Sequence, residues 1–214
     1  MNDLAMAKGT GAKHDLAIGE PEFLAPVLKL LEPEVVFDPG TGYPRLGGES
    51  WFIARLAALQ PRYKHFVVTC GAKQALAAAL YAYREGKGYC HAQVTTPRPY
   101  WPSHKTLAQG LELDFLPTDG DPDHNEEIIL LTSPNNPDGE IGRWGRCHIW
   151  DAAYAHPVYG WDGREPRHEV AVFSMAKLVG ASHCRVGWLA TNDTSIAKYA
   201  ALYVESTTSG VSKR

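Results

Sequence analysis

Short apolar runs with β-prone residues recur along the chain and alternate with helical or turn-rich stretches. We predict strands at residues 65–69, 91–96, 111–116, 127–132, 146–150 and 170–173, and helices from about residue 50, after residue 71, at 103–109 and at 193–203. Strands that alternate with helices in this way favour a mostly parallel sheet wrapped by helices. We therefore expect an α/β fold, a three-layer sandwich around a mostly parallel sheet.

Composition excludes several classes of protein. The net charge of −3 shows no basic excess of the kind that announces nucleic-acid binding. No apolar run reaches the roughly eighteen residues of a membrane span, and no signal peptide is recognisable. The four cysteines lack CxxC or zinc-like spacing, which indicates reduced thiols in a cytoplasmic protein without a metal site. We expect a loose arm at residues 1–13 and one domain at residues 14–214.

A lysine follows the last of these predicted strands. The apolar run stops at Ser174, Lys177 comes three residues later, and Arg185 follows eight residues after it. In α/β proteins, ligands bind just outside the carboxyl ends of the strands. There Lys177 could form a Schiff base with an aldehyde while Arg185 grips a phosphate, which are the two needs of pyridoxal 5'-phosphate. A lone lysine in such a loop is more often a solvated surface charge.

Other strand ends carry polar or aromatic residues that fit the same ligand. Gly71 opens a helix whose free N–H groups suit a phosphate, although a plain strand-to-helix turn has the same sequence. Trp101 can present a flat face to a planar ring or simply fill the core. Asn136 lies in a loop of turn formers, and Asp151 needs a cationic partner if it is buried. All these candidates lie at or just beyond predicted strand ends: Gly71, Ala72, Lys73, Trp101, Asn136, Asp151, Tyr154, Ser174, Lys177 and Arg185.

The order of these motifs resembles that of a known family. The stretches TCGAKQALAAALYA, RPYWPSHK, TSPNNPDG, WDAAYAHPVY and FSMAKLVGASHCRVGW run through most of the chain. Together they resemble fold-type I pyridoxal-phosphate enzymes of the class I/II aminotransferases, and most closely the alliinase and plant tryptophan-aminotransferase-like group. The resemblance extends from about Gly19 to the last residue and implies pyridoxal 5'-phosphate as the cofactor.

The resemblance implies a role for each matching residue in catalysis. Lys177 would carry the cofactor as a Schiff base and later move the proton at the substrate's Cα. Asp151 would keep the pyridine nitrogen protonated, so that the ring can accept electrons. Asn136 and Tyr154 would hydrogen-bond the phenolate oxygen of the ring.

The resemblance also implies how the cofactor is held. Trp101 would stack on the ring, with Tyr100 as the alternative if the register differs by one residue. The amides of Gly71, Ala72 and Lys73, together with Ser174 and Arg185, would hold the phosphate. Tyr43 would reach the phosphate across the interface of a homodimer with shared active sites. Gly19 would lie at the carboxylate end of the substrate.

The chain departs from the family pattern at two places. Residues 180–184 read Gly-Ala-Ser-His-Cys, where the group usually has Gly-His-Ala-Gly-Ser. We also expect a large domain without the small C-terminal domain, whose arginine binds the substrate's α-carboxylate in the family. Arg45, Arg98 or Arg143 are candidates to replace that arginine, and the sequence does not select one.

Three functions follow from this pattern. The first is an aminotransferase acting on an amino acid or an amino-acid-derived amine. The second is a lyase or decarboxylase whose open site accepts a bulky or carrier-linked amino acid, with a nucleic acid as one conceivable carrier. The third is a binding module that keeps the fold without catalysis. In each case we expect a small-molecule amine as ligand and no association with a membrane.

Overall fold

The computed structural model describes residues 45–89, 92–119, 127–142, 145–179, 182 and 185–209. The predicted arm at residues 1–13, and the candidate site residues Gly19 and Tyr43, lie outside the described residues. Arg143, one candidate for the carboxylate-binding arginine, lies outside them as well.

The described chain alternates between helices and strands, as the sequence predicts. The helices are α1 (Ser50–Leu59), α2 (Ala72–Tyr81), α3 (Ser103–Gly110), α4 (Met175–Val179) and α5 (Thr194–Thr208). The strands are β1 (His65–Thr69), β2 (Gln93–Pro97), β3 (Asp114–Thr118), β4 (Glu127–Thr132), β5 (Ile149–Asp151), β6 (Val170–Ser174) and β7 (Gly187–Thr191). A π-helical turn (Ala82–Gly86) extends α2, and a 3₁₀ turn (Pro157–Tyr159) follows β5.

The seven strands form one sheet in the order β1-β7-β6-β5-β4-β2-β3. Strands β3, β2, β4, β5 and β6 run parallel to one another, whereas β7 runs antiparallel to both β6 and β1. The fold is therefore the mostly parallel α/β sheet that the sequence indicates. Because the parallel strands end at the same edge, their following loops meet there.

Both faces of the sheet are buried, which explains the continuous apolar runs. In β4, Ile128 and Leu130 belong to one core cluster, and Ile129 and Leu131 belong to the other. The first cluster packs under α2, α3 and α5, and the second packs under α1 and the loop that follows β5. Helices thus lie on both faces of the sheet and make three layers with it. One core cluster fills each of the two spaces between the layers.

Two strands differ most from their predicted positions. The apolar run at residues 111–116 begins as a turn, because Leu111 and Leu113 close the end of α3 by bonding to the carbonyl oxygen of Ala108. The strand itself runs from Asp114 to Thr118. Strand β5 has three residues, Ile149–Asp151, and Arg146 pairs only through an isolated bridge to Arg167. Strand β7 was not predicted.

Among the described residues, no helix is both long enough and apolar enough to cross a lipid bilayer.

A half-buried histidine, His168, gives the fold a dependence on pH. The Nδ1 atom of His168 lies 2.7 Å from the carbonyl oxygen of Pro166, which can only accept, so Nδ1 carries the proton. Nε2 of the neutral ring then accepts from the Tyr63 hydroxyl at 2.6 Å. Burial lowers the pKa of His168, and the neutral form is the one that fits both bonds.

We expect acid to destabilise the protein through His168. Below about pH 6.5, the unfolded chain binds a proton at this ring that the folded chain resists, so the stability present above that pH is lost as the pH falls. The slope from one such group is at most about 1.4 kcal/mol per pH unit. Denaturant unfolding at pH 7.5 and 5.5 should show a smaller loss on acidification for His168→Gln than for the wild type. Equal losses in the two proteins would contradict this assignment.

Candidate active site

A cavity of about 260 Å³ opens at the carboxyl-terminal edge of the sheet, where the loops after β1, β2, β4, β5 and β6 meet. Its lining contains residues from each of these loops: Ala72, Lys73, Trp101, Asn136, Asp151, Ala153, Tyr154, Ser174, Ala176, Lys177, Ser182 and Arg185. The structure therefore brings together most of the candidates that lie far apart in the sequence. Gly71 does not line the cavity, but it lies beside Arg185.

A buried carboxylate lies at the base of this cavity. Asp151 is only 3% exposed at the end of β5. One oxygen accepts the Ala153 amide at 3.1 Å, and the other lies 3.4 Å from Nε2 of the fully buried His104. A carboxylate with so few internal donors can accept a further hydrogen bond from a cationic group that enters the cavity.

Lys177 and two hydrogen-bonding side chains occupy the adjacent wall. Lys177 lies in α4, the short helix that directly follows β6, and its Nζ atom is 5.7 Å from the centre of the Tyr154 ring. The hydroxyl of Tyr154 accepts a hydrogen bond from the Asn136 side-chain amide at 3.4 Å. Tyr154 and Asn136 are both nearly buried, so they present a fixed pair of polar groups beside the lysine.

Two cationic side chains, Arg185 and Lys73, lie at the amino end of α2. Gly71 has φ 80°, and a side chain there would meet the Arg185 guanidinium at 2.6 Å. Arg185 itself adopts a left-handed backbone with φ 48°, which is uncommon for a residue other than glycine. Lys73 lies in the first turn of α2, and α2 has no acidic residue there. Helix dipole, arginine and lysine together favour an anion such as a phosphate at this end.

Trp101 forms part of the wall, and its neighbour in sequence does not. Trp101 lines the cavity, with Lys73 Nζ 5.1 Å from the centre of its ring. The ring of Tyr100 instead packs against Phe115 at 5.1 Å, away from the cavity. Of the two aromatic residues considered for stacking, the structure therefore places only Trp101 where it can cover a planar ligand.

The described candidates for a carboxylate-binding arginine lie elsewhere. Arg45 donates to the Ser50 hydroxyl at 2.8 Å, and Arg98 pairs with Asp119 at 3.2 Å. Neither residue is in the lining of this cavity.

Sequence reasoning missed two buried or bridging side chains near the site. His104 follows Trp101 by one helical turn, packs edge-on against its ring at 5.6 Å and reaches Asp151. Gln74 accepts the Cys70 amide at 2.7 Å and donates to the hydroxyls of Thr207 and Thr208 at the end of α5. The position of His104, three residues after Trp101, could have pointed to its role. Nothing in the sequence indicates the bonds that Gln74 makes to Thr207 and Thr208.

Gly187 lets the start of α2, at the positively charged end of the cavity, approach the sheet closely. A methyl group at this position would lie 2.5 Å from the Gly71 carbonyl carbon and 2.6 Å from the Ala72 amide nitrogen. Both are backbone atoms at the start of α2, so no side-chain movement can relieve the overlap. The loop would have to move away from β7.

We expect Gly187→Ala to lower the free energy of unfolding by about 1–3 kcal/mol, as overpacking of a close contact does. It should also weaken the binding of a phosphate-bearing ligand, because the amides of the loop move with it. Denaturant unfolding and a ligand titration measure the two effects. Gly110→Ala is the control, since a methyl group there meets nothing within 4 Å. Equal stability of the two variants would contradict the prediction.

Comparison with known proteins agrees with the geometry. A family model described as Allinase matches residues 57–214. A rice (Oryza sativa subsp. japonica) protein named tryptophan aminotransferase-related protein 2 is 32% identical over 164 residues, which cover 70% of this chain and 32% of that protein. An alliin lyase of Allium cepa var. aggregatum is 30% identical over 89 residues, which cover 40% of this chain and 20% of that protein.

A solved structure shows the same fold. The aspartate aminotransferase of Rhizobium meliloti superposes with a TM-score of 0.65 at 19% identity, covering 99% of this chain and 63% of that one. The chain spans about a third of the length of the curated tryptophan aminotransferase-related proteins that it matches. It corresponds to part of the aminotransferase-like α/β structure.

Proposed function

The chain belongs to the alliinase family, and we propose that it acts as a pyridoxal-phosphate-dependent aminotransferase on an amino acid or an amino-acid-derived amine. Members of this family, like the aminotransferases, depend on pyridoxal 5'-phosphate. The observation that carries the proposal is that Lys177, Asp151 and Arg185, which lie on different loops, all line one cavity.

The residues of the cavity fit this cofactor. Asp151 is buried and has an oxygen able to accept from a protonated ring nitrogen. The space that a side chain on Gly71 would fill lies beside the Arg185 guanidinium, where a phosphate needs room and positive charge. Trp101, which also lines the cavity, supplies a flat wall for the ring. Asp151, Trp101, Ser174 and Arg185, with the amides that open α2, would hold the cofactor.

When bound, pyridoxal phosphate supplies an aldehyde that links to an amine and a ring that takes up electrons released at the substrate's Cα. Lys177 Nζ is the amine of this chain that would link to the aldehyde, and it would also move the proton at Cα. The Asp151 carboxylate would hold the proton on the ring nitrogen. Asn136 and Tyr154, which are hydrogen-bonded to each other, would bind the phenolate oxygen of the ring.

The relatives favour aminotransfer and keep elimination as the second candidate. The tryptophan aminotransferase-related proteins match about 70% of this chain, whereas the alliin lyases match about 40%. The second proposal is therefore a lyase or decarboxylase acting on a bulky or carrier-linked amino acid. Its support is the position of Arg45 and Arg98, the described candidates for binding the substrate carboxylate. Both lie outside the cavity lining, so the carboxylate has no assigned partner there.

We also propose a homodimer with shared active sites. Trp51 and Leu59 on α1 are 58% and 78% exposed, and Leu46 just before α1 is 57% exposed. Large exposed apolar side chains on one short stretch of chain favour an interface there. Sedimentation that shows a monomer with a full complement of cofactor would argue against this.

The function is tested by cofactor uptake followed by a substrate screen. Purified protein mixed with pyridoxal phosphate should absorb visible light, and amino donors should then turn over only with a 2-oxo acid acceptor. Release of pyruvate or carbon dioxide without an acceptor would favour the lyase or decarboxylase. Uptake without turnover of any donor would favour the binding module. A protein that stays colourless would overturn all three.

A further inference from the structure

Tyr159 makes a hydrogen bond to the main chain of the lysine on which the proposed chemistry depends. Its hydroxyl donates to the carbonyl oxygen of Lys177 at 3.0 Å. Lys177 lies in α4, which has only five residues, Met175–Val179. The last carbonyls of a helix have no partner within it, so a helix this short gains little from its own bonds. The Tyr159 hydroxyl supplies a partner for one of these carbonyls and fixes its direction.

The same side chain also touches the tyrosine beside the lysine. The rings of Tyr159 and Tyr154 meet edge-on, with 5.2 Å between their centres and an angle of 89°. Lys177 Nζ lies 5.7 Å from the centre of the Tyr154 ring on the cavity side. Tyr159 therefore contacts Lys177 through its hydroxyl and Tyr154 through its ring, although it does not line the cavity itself.

A short turn holds Tyr159 in place for both contacts. It is the last residue of the 3₁₀ turn Pro157–Tyr159, which begins with His156 accepting the Val158 amide. Gly160 ends the turn with φ 79°, a conformation that glycine adopts readily. Burial raises the pKa of Tyr159, so its hydroxyl stays protonated and able to donate over the whole working range of pH.

We propose that Tyr159 is a positioning residue that sets where Lys177 lies relative to Tyr154, and thereby where the amine meets its aldehyde partner. This rests on the proposed function. Because Tyr159 binds the carbonyl oxygen and not Nζ, it fixes the backbone and leaves the amine able to move. Displacing a reacting group by about 1 Å can cost about a hundredfold in rate, so a bond that fixes the backbone matters for the chemistry.

The test uses Tyr159→Phe, which keeps the ring contact with Tyr154 and removes only the hydroxyl. Tyr203→Phe is the matched control, since burial raises the pKa of Tyr203 too and its ring packs against Tyr81 at 5.2 Å, on a helix away from the cavity. Three quantities are compared. They are the rate at which the protein without cofactor captures pyridoxal phosphate, the pH midpoint of the visible absorption, and the separate values of kcat and KM.

For Tyr159→Phe we expect capture and kcat to fall about three- to tenfold, the effect of one neutral hydrogen bond, with KM changed less than about twofold. The pH midpoint should move by at least a few tenths of a unit, because the environment of the Lys177 amine changes. Tyr203→Phe should match the wild type in all three. A loss of stability without any change in capture or midpoint would show a purely structural role and overturn the inference. If the wild type captures no pyridoxal phosphate, the proposed function itself fails, which is a different result.

Discussion

Lys177→Ala should abolish covalent attachment of pyridoxal phosphate and reduce turnover by at least about 10²–10⁴-fold, since proton transfer by a positioned side chain alone contributes that much. Borohydride treatment followed by peptide mass mapping should find the cofactor on Lys177 in the wild type and on no peptide in the variant. Of the two lysines in the described lining of the cavity, Lys177 has its Nζ atom near the Tyr154 ring, whereas Lys73 has its Nζ atom near the Trp101 ring.

The same change should leave the fold intact. Lys177 is half-buried at the cavity wall, outside both core clusters, so its removal should alter the free energy of unfolding by less than about 1 kcal/mol. Lys198→Ala is the control, since Lys198 lies on α5 over the Tyr199 ring, away from the cavity. Labelling of Lys177→Ala by borohydride to the same extent as the wild type would show that another amine carries the cofactor.

Asp151→Asn should retain the cofactor and lose about 10²–10³-fold in kcat. Removing one preorganised polar group from a catalytic site costs about 3–4 kcal/mol of transition-state stabilisation. The asparagine can still accept the Ala153 amide, so the local backbone should remain as it is. It cannot supply the negative charge that holds a proton on the ring nitrogen.

The measurement is kcat together with the dissociation constant of the cofactor. We expect the dissociation constant to change much less than kcat, because the asparagine amide still reaches the ring nitrogen. Asp162→Asn is the control, since Asp162 pairs with Arg164 on an exposed loop. Turnover of Asp151→Asn close to that of the wild type would mean that the carboxylate serves only the local structure.

Most of the sheet could be predicted from the sequence because its inner strands are buried on both faces. In β4, each residue from Ile128 to Leu131 packs into one core or the other, so the run is apolar throughout and easily recognised. Strand β7 was missed because its sequence, GWLAT, is short and begins with a glycine. Its position depends on pairing with β6 and also with β1, which is distant in the chain.

The site could be predicted to the extent that its residues follow strands directly. Asp151 ends β5, and Lys177 and Ser174 follow or end β6, so the rule that ligands bind at strand ends finds them. His104 and Tyr159 act through long-range contacts that depend on tertiary packing, over 47 residues to Asp151 and 18 residues to Lys177. The sequence favours Trp101 for stacking and leaves Tyr100 as the alternative, and the packing of Tyr100 against Phe115 decides between them.

The contact of Gly187 with the start of α2 limits which substitutions the chain can accept at this position. The atoms that a methyl group would strike belong to the backbone of Gly71 and Ala72, so no smaller side chain elsewhere can make room for it. A suppressor of Gly187→Ala would have to shift the whole of α2, which is packed against β7, β6 and α5. Random mutagenesis of a Gly187→Ala parent, with cofactor retention as the selection, should therefore recover reversion to glycine far more often than compensating changes at other positions.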